Sequence, residues 1–163
     1  MASYRLDALT IAAIAAAALD AWTTYYFMAY DLGFEANPIL ASLSRHSLIW
    51  IPVYLMAQPL LIPAMPDICR QSFAIGVLTA SLLCGINNLC GIYASKYILV
   101  DLFGFPAIVA VSVLLGLLAF VYQLLSTKAD RKLALRSVAM AVLWIVIFVA
   151  VDATFYLGSQ LAG

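Results

Sequence analysis

Long apolar runs separated by short polar breaks set the pattern of this chain, and within the runs the hydrophobic positions are continuous, without strand-like alternation. Continuous runs of about twenty residues predict helices that cross a membrane, at ~1.5 Å of rise per residue through a ~30 Å hydrocarbon core. Five such spans are predicted, over residues 9–30, 48–65, 73–93, 105–125 and 133–157. Gly33 is the expected stop of the first span, as a residue suited to a helix C-terminus. Asn37-Pro38 reads as an N-cap with proline at the first helical position, opening a short interfacial helix from Ile39 to Ser44. The second span carries Pro52, Pro59 and Pro63. Proline removes an amide donor, so a break is expected near Gln58-Pro59, with the carbonyls of Leu55 and Pro59 released.

Composition agrees with this class. Hydrophobic residues make up 66% of the 163 residues and charged residues 10%, and mean hydropathy is +1.07. Soluble domains carry about a quarter charged residues, so this chain is built for lipid. Lipid admits only helices or closed barrels, and the unbroken runs select a single all-α transmembrane bundle spanning residues 1–163. The first apolar run outlasts a signal-peptide core, which predicts a retained membrane helix.

The basic residues orient the bundle. With five spans, Arg5, Arg70, Lys128, Arg131, Lys132 and Arg136 fall on one side, leaving only Arg45 and Lys96 of the 8 Lys/Arg opposite. The positive-inside rule then places the N-terminus in the cytoplasm and the C-terminus outside, in a multi-pass cell-membrane protein.

Polar residues at membrane depth carry the candidate chemistry. Asp20 and Asp152 lie inside apolar spans, where a carboxylate costs ~2.5–3.5 kcal/mol on insertion scales and so faces a partner, a cavity or an ion. Asp20 lies ~18 Å from the cytoplasmic end of its span, Asn87-Asn88 ~21 Å and Asp152 ~24–28 Å, which puts them at nearly one level in the outer half. Asp20 shares a face with Thr24, and Asp152 with Tyr156, four residues on. Gln58 sits near the midplane. These oxygens, with the released carbonyls, suit a small hard cation or a proton relay. The same groups also suit interhelical packing, where Asn, Thr and Tyr serve as polar glue. The small-residue stripes Ala13, Ala17, Asp20, Thr24 and Gly76, Ala80, Cys84, Asn87/Asn88, Gly91 predict that the first and third spans are neighbours, with Asp20 facing the asparagines.

Several function classes find no support. Zero net charge leaves no basic stripe for nucleic acid. The single histidine, His46, falls short of a bis-histidine haem or a histidine-rich zinc site, and there is no zinc motif or phosphate loop. Cys69, Cys84 and Cys90 form no framework and read as packing residues. No catalytic set is visible. An Asp20–Asp152 dyad would need carboxylates in contact, and their depths differ by several ångström. Trp22, Tyr25, Tyr26, Tyr30 and Trp50 read as an aromatic belt at the outer interface.

The segment Leu19-Asp20-Ala21-Trp22-Thr23-Thr24, followed by Gly33-Phe34-Glu35-Ala36-Asn37-Pro38-Ile39-Leu40, resembles the DUF5658-like family of small prokaryotic membrane proteins of unknown function. The resemblance covers about the first forty-five residues and implies a fold and two positions of interest, Asp20 and Glu35, but no reaction. The family pattern favours a lysine in the second span, where this chain has Gln58. Glu35 is expected either to fold over the outer mouth of the bundle or to support the N-terminus of the short helix through its dipole.

The expectation is therefore a non-enzymatic membrane protein whose outward-facing polar pocket holds a small cation or relays protons. Its partners would be lipid and either copies of itself or other membrane subunits. An accessory or assembly subunit of a larger membrane complex is the rival reading, and an intramembrane enzyme the third.

Overall fold

The computed structural model describes residues 6–32, 38–65, 67–94 and 96–126. All regular elements among them are helical: α1 (Ala8–Ala29), α2 (Pro38–His46), α3 (Trp50–Leu61), α4 (Asp67–Ala94), α5 (Ile98–Phe103) and α6 (Phe105–Ser126), with a 3-10 turn, Ile62–Ala64, extending α3. α1, α4 and α6 contain segments long and apolar enough to cross a membrane. The chain is thus an all-α protein with the helices of a membrane protein. The fifth predicted span, Leu133–Leu157, lies outside the described residues.

α1 begins at a cap that its own sequence supplies. The Asp7 carboxylate accepts the Thr10 N–H at 2.7 Å and the Asp7 carbonyl accepts the Ile11 N–H at 3.0 Å, which satisfies donors that a helix start leaves open. Its end corrects the expectation for Gly33. Asp31 takes the left-handed conformation at φ 51°. The Asp31 N–H donates to the Met28 carbonyl at 3.4 Å and the Leu32 N–H to the Phe27 carbonyl at 3.1 Å. These paired bonds are those of a Schellman motif, and they close the helix two residues before Gly33. α2 covers the predicted interfacial helix and runs on to His46, with Arg45 and His46 in the last turn, where cations complement the helix dipole. Ile39 and Leu40 anchor it through buried side chains.

The proline-bearing segment departs from expectation in a defined way. The α-helix continues through Pro59 to Leu61 and tightens only at the 3-10 turn that contains Pro63. The Pro59 carbonyl, which Pro63 cannot bond, accepts the Ile62 N–H instead. A shift to i→i+3 bonding thus absorbs the missing donor, and that carbonyl is not released. Pro59 and Pro63 are both buried.

Packing places α1 between α3 and α4, with α6 on the other side of α4. The predicted pairing of the first and third spans is therefore present, and glycine makes it close. A Cβ on Gly85 would stand 3.6 Å from both Cα and N of Asp20. The α4–α6 crossing is closer, because a Cβ on Gly116 would stand 3.2 Å from the Ser72 carbonyl. Gly76 belongs to this second crossing, facing the Ser112 carbonyl, and not to the α1 interface where the sequence stripe placed it. α4 begins at Asp67, six residues before the predicted span. Toward the end of the bundle where α1 and α4 begin, Ala13, Ile62, Ala74 and Val77 form a buried apolar cluster joined by Leu9, Phe73 and Leu78. α6 presents Leu114, Leu118, Val121 and Leu125 outward, a surface that lipid satisfies and water does not.

Candidate functional site

Four side chains on α1 and α4 meet at one level of the bundle. α1 supplies Asp20, Thr23 and Thr24, all buried, with Asp20 only 5% exposed. Spacings of three and four residues put them on the face that meets α4. α4 supplies Asn88, brought within reach because Gly85, one turn earlier, lets the two backbones approach. The Asn88 Nδ2 donates to Thr24 Oγ1 at 2.8 Å, Thr23 Oγ1 at 3.3 Å and Asp20 Oδ1 at 3.4 Å. The hydroxyls pass the chain on: Thr24 donates to Asp20 Oδ1 at 3.3 Å, and Thr23 donates to the Asp20 backbone carbonyl at 3.0 Å.

One donor group serves several acceptors in this cluster. An amide nitrogen has two hydrogens, and here it faces three oxygens. The oxygens of α1 converge on a single point, and a nitrogen stands there.

Above this layer the chain folds back over the α1–α4 groove. Tyr97 packs edge-on to Phe27, with ring centroids 5.4 Å apart, and its hydroxyl donates to the Leu32 carbonyl at 3.0 Å. Gly91 makes room, since a Cβ there would overlap the ring, 3.1 Å from Cδ1 and 3.2 Å from Cζ. Burial, and then the negative charge of Asp101, push the Tyr97 phenol above its ordinary value, so it remains a hydrogen-bond donor at neutral pH.

The predicted site residues separate into those that meet and those that do not. Asp20, Thr24 and Asn88 are together. Asn87 is buried but turns the other way, its Oδ1 accepting the Leu99 N–H at 3.1 Å at the start of α5. Gln58 is half-buried on α3 and takes no part in the hydrogen bonds around Asp20 among the described residues. Glu35 and Asp152 lie outside the described residues.

Sequence reasoning passed over Tyr97 and Gly85, and named Thr23 only within the segment Leu19–Thr24. The signal for Gly85 was its place one turn before Asn88. Tyr97 had no signal beyond being an aromatic residue in a short connection. Arg70 was read as a loop charge, yet it is 5% exposed, and its Nη2 donates to the Met65 carbonyl at 3.1 Å. Among the described residues no group of three or more His, Cys, Asp or Glu side chains is placed to hold a metal ion. No protein-family model, curated protein or solved structure matches the chain.

Proposed function

We propose that this is a multi-pass cell-membrane protein in which the Asp20 layer binds a small cation or a proton in the outer half of the bilayer. The observation that carries the reading is the convergence of Asp20 Oδ1, Thr23 Oγ1 and Thr24 Oγ1 on one nitrogen. A cation takes that point only when the Asn88 amide swings aside, and the amide Oδ1 is then the fourth ligand available to it. One carboxylate with neutral oxygens balances one positive charge, which lowers the cost of holding either partner at depth. The apolar cluster around Ala13, Ile62, Ala74 and Val77 supports an outward-facing site, since it separates the layer from the inner end of α1 and α4. The finer topology of this proposal is five spans with the N-terminus cytoplasmic.

A second reading draws on the Gly85 contact. Two helices held this closely by a polar cluster make a rigid pair, as an accessory subunit of a larger membrane complex would need, with the layer as interhelical glue. Thermal melting of the purified chain against added sodium, potassium or calcium, and against pH, separates the two. A site raises the melting temperature by mass action, about 2.7 kcal/mol at a hundredfold excess over Kd, and Asp20→Asn abolishes that rise. A lock gives no response to any of the cations and the same pH response in the parent and in Asp20→Asn, and Asp20→Asn is then as stable as the parent or more so.

A further inference from the structure

We propose that Tyr97 is the outer gate of the Asp20–Asn88 layer, a plug seated in the α1–α4 groove one helical turn outward of it. The proposal deepens the reading of that layer as a ligand site, because it states how the site would be reached.

The placement follows from helix spacing. Phe27 is three residues beyond Thr24 on α1 and Gly91 is three beyond Asn88 on α4, each ~4.5 Å further along its axis. Tyr97 touches both of these residues. Its ring therefore spans the groove directly above the layer, and the missing side chain of Gly91 provides the seat. Inward, the route is filled by the apolar cluster that includes Ala13 and Ile62. Along the described helices the outer end is also the nearer one, with α1 ending nine residues after Asp20 and α4 six after Asn88, and Tyr97 stands on that side.

The fastening of the plug is light and local. One hydroxyl hydrogen bond ties Tyr97 to the end of α1 at Leu32. The Asn87 side chain ties the following helix to α4 by accepting the Leu99 N–H, and the Lys96 N–H donates to the Cys90 carbonyl of α4 at 3.5 Å. The neighbouring asparagines thus divide two tasks: Asn88 closes the layer and Asn87 holds the strap that carries the plug. Release of the strap needs no rearrangement of α1 or α4, whose contact lies a turn below. Among the described residues the ring is held by the Leu32 bond, the edge-on Phe27 contact and the Gly91 seat, a small set of contacts for a moving part.

Cysteine reactivity in the full chain tests this without any ligand. Thr24→Cys is introduced with Cys69, Cys84 and Cys90 replaced by Ala, and a small water-soluble methanethiosulfonate is added to the detergent-solubilised protein. The parent background should label slowly. Tyr97→Phe loses only the bond to Leu32 and should label about fivefold faster, the equivalent of one net hydrogen bond. Tyr97→Ala also loses the ring contact and should label roughly thirtyfold faster. Gly91→Ala evicts the ring while leaving Tyr97 in the sequence, and should accelerate labelling in the same direction, so the test survives if Tyr97→Ala fails to fold. Equal labelling rates in the parent, Tyr97→Phe and Gly91→Ala, with helical content unchanged, would overturn the gate. Labelling needs no cation, so its outcome is independent of the melting experiment: an ion response with no effect of Tyr97 leaves the site ungated, and faster labelling with no ion response leaves a gate over a structural layer.

Discussion

The Asn88 amide donates to the Asp20 carboxylate at 3.4 Å across the α1–α4 interface, and to both flanking threonine hydroxyls at the same time. The pair lies inside two helices apolar enough to cross a membrane, so its strength reports the charge on Asp20. Neutral interhelical hydrogen bonds in membranes average about 0.6 kcal/mol, whereas bonds to a charged group reach about 1.5–3 kcal/mol. A double-mutant cycle of Asp20→Ala and Asn88→Ala, read by unfolding in detergent at neutral pH, should give a coupling above about 1 kcal/mol. A value near the neutral average would mean that Asp20 acts as a packing residue.

The two helix crossings should respond differently to the same small change. Gly85→Ala places a methyl 3.6 Å from the Asp20 backbone, an ordinary contact. Alanine also gains up to about 1 kcal/mol of helix propensity over glycine, so this variant should melt at or above the parent temperature. Gly116→Ala meets the Ser72 carbonyl at 3.2 Å, and a backbone atom cannot step aside without moving its helix. Its cost should be about 1–2 kcal/mol. Thermal unfolding of both variants side by side checks the ordering, and a reversed order would place the closest crossing elsewhere.

Acid stability should carry a signature of Asp7. The Thr10 N–H bond, with the charge of Arg70 adding to it, holds this carboxyl below its ordinary value. A carboxyl whose pKa is depressed by folding stabilises the native state above its unfolded value, about 3.9, and loses that contribution as pH falls through the folded value. The cap is worth about 0.5–2 kcal/mol. Melting temperature should therefore fall below about pH 4 in the parent, and Asp7→Ala should be less stable at neutral pH with a smaller acid step. An unchanged acid step in Asp7→Ala would assign the titration to another carboxyl.

What could be read in the sequence, and what could not, divides along physical lines. α1 and α6 were legible almost to the residue because each is an apolar run of membrane length with nothing else that it can form. α4 was legible except at its start, where Asp67-Ile68-Cys69-Arg70-Gln71-Ser72 has the composition of a loop but continues the helix inward. The meeting of Asp20 with an asparagine followed from the stripe of small residues. Which asparagine did not, because Asn87 and Asn88 are adjacent and the relative rotation of two helices decides between them. The same rotation chose Gly85 over Cys84 for the close contact. Local backbone chemistry also has more than one solution: Asp31 could close α1 as well as Gly33, and the strain of Pro63 could be absorbed by a 3-10 turn without a break at Gln58. The strap over the groove rests on tertiary contacts of Tyr97 and Asn87, for which a linear pattern offers no guide.

Topology provides the last test, and it reaches the part of the chain beyond α6. α1 and α4 must run in the same direction if Asp7 is to lie near enough to Arg70 to feel its charge while the Tyr97 ring reaches Phe27 at the opposite end. Those contacts fix one end of the bundle as the side of Asp7 and Arg70. α6 returns to that side, since its Gln123 accepts a hydrogen bond from Ser72 near the start of α4 at 3.3 Å. Lys128, Arg131, Lys132 and Arg136 follow within a few residues of that return. Under the proposed topology the basic residues that follow in sequence lie at the end that holds Arg70, and the positive-inside rule then predicts that end to be cytoplasmic. A reporter inserted between Thr127 and Arg131 should then read as cytoplasmic. One fused after Gly163 should read as extracytoplasmic, because the apolar run Leu133–Leu157 is long enough for one more crossing. Both reporters on the same side would remove the fifth span, and an extracytoplasmic loop reporter would invert the bundle and turn the Asp20 layer toward the cytoplasm.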